Sequence, residues 1–71
     1  MPTTATLAQA AMSSDPGLPR ALHLTSRIRG RLDALEAALA SQDRRAVLRV
    51  TVELGQLFEE LADITYRRYA P

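Results

Sequence analysis

The chain contains no cysteine, no tryptophan and, since all nine basic residues are arginine, no lysine. Without cysteine, disulfides and thiolate metal centres are excluded, and the cytosol is the natural compartment. A lone histidine, His23, cannot build a metal site by itself, so neither metal nor cofactor is expected. Apolar runs are too short to span a bilayer, and no membrane association is expected. The stretch from Met1 to Met12 lacks the basic start and long apolar core of a secretory signal. Charge of one sign is also missing: nine basic against eight acidic residues leave a net +1. That balance gives no strong pull toward nucleic acid or an anionic surface. The arginine-only basic set fits a GC-rich coding sequence; the fitness of arginine for bidentate interface contacts is a second reading.

What is present is apolar and helical. Hydrophobic residues make up 46% of the 71, a globular rather than a disordered composition. A chain this short forms one small domain and usually needs a disulfide, a metal or a partner to be comfortably stable. Two of those three are excluded, so association is the stabiliser that remains.

Residues 1–19 differ from the rest. Threonine, serine and alanine alternate, and Asp15-Pro16-Gly17-Leu18-Pro19 reads as a breaker. The segment is expected to be a flexible arm carrying at most one short helix, because two isolated turns are marginal in water. Residues 20–71 are expected to form the folded domain. From about 20 to 40, Ile28, Leu32, Leu35 and Leu39 recur at spacings of four, three and four, with Leu24 and Ala21 extending the stripe backwards. Ser41-Gln42-Asp43 interrupts the pattern, and Ser41 or Asp43 is placed to cap a second helix. From about 43 to 69, Val47, Val50, Leu54, Leu57, Phe58, Leu61 and Ile64 share one sector of that helix. Arg67 and Arg68 complement its C-terminal dipole, whereas Arg44 and Arg45 oppose the N-terminal one.

Two such helices joined by about three residues fold back as an antiparallel hairpin. The fold class is therefore all-α. Leu39 should lie level with residue 45, Leu32 with Val52 and Ile28 with Leu57. Arg31 should fall near Glu53, and Arg27 near Glu59 or Glu60.

The second helix has too much apolar surface for one neighbour. Leu48, Val52, Ala62, Tyr66 and Tyr69 widen the stripe to about twice the 100° that a single contact needs. The expected remedy is a homodimer, a four-helix bundle of two hairpins. Its shared core would be Val47, Val50, Leu54, Leu57, Phe58, Leu61 and Ile64 with Ile28, Leu32, Leu35 and Leu39. The competing reading has residues 1–19 fold over the same surface. Gly30 and Gly55 fall at one height in the hairpin, as a close backbone approach or as tolerated positions, with nothing to choose between them.

No reaction is legible. His23 has Thr25 and Ser26 nearby but no third group to orient it, as nucleophilic catalysis requires. Glu59, Glu60 and Asp63 lack the Glu-x-x-His spacing of di-iron bundles and read as a solvated face. Arg27, Arg29 and Arg31 on the first helix, and Tyr66, Arg67, Arg68 and Tyr69 at the end of the second, are the candidates for binding a partner. The chain is expected to be no enzyme. It is read as a small cytoplasmic interaction protein, a dimer that modulates a larger protein as inhibitor, adaptor or chaperone. Nucleic-acid binding through the basic end, or service as a subunit of a larger complex, are the subordinate readings.

Overall fold

A computed structural model describes residues 17–71; the expected arm and its short helix lie almost wholly outside them. Two helices account for nearly all of this: α1, Gly17–Ala40, and α2, Arg44–Tyr69. They pack against each other as an antiparallel hairpin. The first helix starts three residues before the expected boundary near 20. Pro19 falls in its first turn, where N–H groups have no intrahelical partner and proline gives up nothing. The second ends at Tyr69 as its pattern indicates, and the Ala70 N–H closes it on the Tyr66 carbonyl at 3.0 Å.

The joint is compact because Ser41 and Gln42 close the end of the first helix while Asp43 bonds to both helices. The Asp43 N–H reaches back to the Ala38 carbonyl at 3.0 Å, and the Gln42 N–H to the Leu39 carbonyl at 3.1 Å. This is the Schellman arrangement, which needs a left-handed residue just past the helix end. That residue is Gln42, with φ 57°, in a position usually taken by glycine. Asp43 then turns forward: its Oδ1 accepts from the Ala46 N–H at 3.1 Å and its carbonyl from the Val47 N–H at 2.9 Å. Of the two expected caps, Asp43 holds the position, and its charge offsets the adverse pairing of Arg44 and Arg45 with the helix dipole. Ser41 instead donates to the Ala38 carbonyl at 3.2 Å.

Between the helices, Leu24 and Ile28 meet Val50, Leu54 and Leu57, with Ala34, Leu35, Leu61 and Ile64 packed around them. On both helices the inward positions follow a four-three repeat, the seam of left-handed helix packing. Near the turn, buried Ala38 takes the inward position. A methyl there lets the two backbones converge over a three-residue connection. One consequence is a division of the apolar stripe of α1. Ile28 and Leu35 face α2, while Leu32 and Leu39 stay 45% and 57% exposed. The expected register otherwise holds: Arg31 Nη1 donates to Glu53 Oε2 at 3.3 Å.

Candidate interaction surfaces

Stepping round each helix at about 100° per residue assigns every side chain to the seam or to one of two flanks. The flanks differ sharply in chemistry. On one, arginines of α1 meet carboxylates of α2. Arg20 pairs with Glu60 and Arg31 with Glu53, and Glu53 also reaches Arg49 at 4.0 Å. Arg27 sits here too, beside Glu53, Gln56 and Glu60 around a small depression. Of the expected Arg27 contacts, the pairing with Glu60 is taken by Arg20 instead. These pairs are exposed and contribute about 0–1 kcal/mol each; their main effect is to hold the register.

The opposite flank is apolar. On α1 it carries Leu32 and Leu39 beside Thr25, with Leu22 toward its edge; on α2 it carries Val47, Phe58 and Ala62 beside Thr51 and Thr65, with Leu48 toward its edge and Tyr69 at its open end. Phe58 is 50% exposed and Leu48 67%. Leu39, Val47 and Leu48 line one continuous depression with Gln42 and Arg44 at the turn. Full burial of such a side chain is worth roughly 1.5–3 kcal/mol, and about half of that is still to be gained at each of these half-exposed positions, a sum that is a large share of a small domain's total stability. The expected core residues therefore fall into two groups. Ile28, Leu35, Val50, Leu54, Leu57, Leu61 and Ile64 pack within the hairpin, whereas Leu32, Leu39 and Phe58 remain open to a further contact, and Val47 lies half-buried at their border.

The expected partner-binding residues are not all brought together. Arg27 and Arg31 lie on the ion-paired flank, while Arg29 points to the apolar side's border. At the open end of the hairpin Arg67 Nε meets Asp63 Oδ1 at 3.2 Å. The Arg68 guanidinium lies 5.2 Å from the centre of the Tyr69 ring and its Nε donates to the Tyr69 hydroxyl at 2.9 Å. Tyr66 and Tyr69 flank a small depression with Thr65 and Ala70. This end presents aromatic and guanidinium surface together, but Arg67 and the nearby Arg20 already have carboxylate partners.

His23 and Ser26 are both exposed on α1, and the Thr25 hydroxyl donates to the Leu22 carbonyl at 2.7 Å. Among the described residues no three histidines, cysteines or carboxylates gather as metal ligands would, and no helix is long and apolar enough to cross a membrane. Both glycines are in open space: a Cβ added at Gly30 or Gly55 would meet nothing within 4 Å. No close approach inside the hairpin accounts for either.

Four charged groups carry no evident common role in the sequence: Arg29, Glu36, Arg44 and Glu59. They border the apolar flank, and within the described hairpin none of them forms an ion pair. A signal exists in the sequence nonetheless, since their helical positions place them around Leu32, Leu39, Leu48 and Phe58. No family model matches this chain, and neither does any curated protein or solved structure.

Proposed function

We propose that this chain is a non-enzymatic protein-binding module that works as a homodimer in the cytoplasm. Two hairpins bury their apolar flanks against each other in a four-helix bundle, and the dimer binds and modulates a larger protein. One observation carries the reading: a helix pair with one flank bridged by ion pairs and the other left mainly apolar, with Leu32, Leu39, Leu48 and Phe58 about half exposed or more. A monomer rarely keeps so large a contiguous apolar patch in water. With the flank covered, the open end remains for the partner protein, where Tyr66, Arg67 and Arg68, with Tyr69 at the extremity of the flank, combine the residue types that dominate interface hot spots. A phosphate-binding role has less support, because Arg20 and Arg67 are already matched by carboxylates.

The test uses two variants. Leu57→Asp puts an unpaired charge into the seam that both helices share, and should remove helicity and assembly together. A soluble, helical Leu57→Asp monomer would show the core to be misplaced. Arg67→Ala with Arg68→Ala should leave helicity and dimer mass unchanged while weakening capture of the partner from the native host. Equal capture by the double variant and the parent chain would remove this end from the binding surface.

A further inference from the structure

We infer that the two hairpins lie with their turns at the same end, so that α2 of each copy packs on α1 of the other. The inference rests on the homodimer proposed above and adds its arrangement, read from the unpaired charges Arg29, Glu36, Arg44 and Glu59 beside the apolar flank.

The register inside one hairpin sets the levels. Arg31 beside Glu53 means that each step along α1 is matched by one step back along α2. Turning one hairpin about an axis parallel to its helices brings α2 against the partner's α1 at these same levels. Leu48 then lies level with the partner's Glu36, and Arg44 is one helical turn from it. Gly55 lies level with the partner's Arg29, and Glu59 is one turn from that. One turn is also the offset of Arg20 from Glu60, which are bonded within the hairpin. Arg44 therefore reaches the partner's Glu36 along the rim of the buried flank. The partner's Arg29 reaches Glu59 by lying across Gly55, where the missing side chain leaves the path open. The symmetry gives each pair twice, so Arg29, Glu36, Arg44 and Glu59, none of which forms an ion pair within the hairpin, each meet an opposite charge in the dimer.

The alternative turns one hairpin end over end, stacking α1 on α1 and α2 on α2. At full overlap the two Arg29 side chains meet each other, Arg44 lies opposite the partner's Tyr69, and Glu36 opposite the partner's Ala21. Only a slide of several residues restores opposite charges, and that leaves the open ends overhanging. Overlap matters here. The flank is about 39 Å long, from 26 residues at 1.5 Å each, and about 20 Å across two helices, or roughly 800 Å². That is about the contribution of one partner to a standard stable interface, so area lost to a slide is not spare. In the same-end arrangement both copies of Tyr66–Tyr69 sit at one end of the bundle, which makes it a bivalent surface for a larger partner.

A spin label on Ser41→Cys reads the arrangement directly, because the chain has no other cysteine. Ser41 lies in the turn, so pulsed dipolar spectroscopy should give a separation of about 20 Å or less, one interaxial spacing of about 10 Å across the bundle plus the reach of the two labels. A dimer with the labels about 40 Å apart, one helix length, would overturn the same-end arrangement and leave the homodimer standing. A sample that sediments as a monomer with no dipolar coupling would overturn the homodimer itself. A charge swap checks the pairing independently. Arg44→Glu should weaken dimerisation roughly tenfold through two lost pairs and two repulsions, and adding Glu36→Arg should restore it. Failure of the second substitution to restore assembly would also overturn the arrangement.

Discussion

Phe58→Ala separates the two faces of α2, because Phe58 is adjacent in sequence to Leu57, which is buried in the seam, but lies on the apolar flank. In the single hairpin its side chain is 50% exposed. A phenylalanine offers about 200 Å² for burial, so about 100 Å² is left for a second chain to cover. At roughly 25 cal/mol per Å² that is about 2.5 kcal/mol per copy, and about 5 kcal/mol for a symmetric dimer. The dissociation constant should rise by between three and four powers of ten, to a first approximation. The stability of the hairpin should change far less, since the residue makes only part of its contacts there. Sedimentation equilibrium across a dilution series, with circular dichroism on the same samples, reads both quantities. A variant that dimerises as tightly as the parent would refute the assignment of this flank as an interface. A variant that loses its helices at concentrations where the parent monomer is folded would place Phe58 in the intrachain core instead.

Three further outcomes concern the hairpin itself. Leu24 is fully buried, so Leu24→Ala should cost about 2–5 kcal/mol in urea denaturation, enough to unfold much of so small a domain; a loss under about 1 kcal/mol would remove it from the centre of the core. Gln42→Gly should stabilise by about 0.5 kcal/mol, because relief of the left-handed strain exceeds the added freedom of the unfolded chain. A lower urea midpoint for this variant would mean that the turn is not left-handed in solution. Asp43→Ala should cost about 0.5–2 kcal/mol by uncapping α2 beside two arginines, and Asp43→Asn should recover most of it; equal loss in both variants would assign the effect to charge alone.

Much of the hairpin is legible in the residues. The spacing of Leu54, Leu57 and Leu61, the gap at Ser41-Gln42-Asp43 and the placement of Arg31 against Glu53 are local or nearly local, and each is set by the helical period. The start of α1 is less legible, because Pro16-Gly17-Leu18-Pro19 has the composition of a breaker while proline is also welcome in a first turn. The division of the α1 stripe is a different matter. Leu24, Ile28, Leu35 and Ala38 fall on a three-four repeat whose middle position is Arg31, and Ile28, Leu32, Leu35 and Leu39 fall on another. Periodicity cannot say which row turns toward α2; the small side chain of Ala38, at the place where the helices converge, selects the first. The turn is half visible. Asp43 carries a clear capping signal, but Gln42 takes a conformation that its side chain does not advertise. The interaction surface is legible as an excess of apolar residues on α2. Its polar border is not, because Arg29, Glu36, Arg44 and Glu59 acquire a common meaning only once both helices are set side by side.

On the proposed reading, a second copy of the chain covers the flank bearing Leu32, Leu39, Leu48 and Phe58. Sedimentation of the intact, unmodified protein at micromolar concentration tests it most directly. A helical species of twice the 7.8 kDa chain mass, dissociating on dilution, is the predicted result. A well-folded 7.8 kDa particle that shows no self-association at any accessible concentration would contradict it.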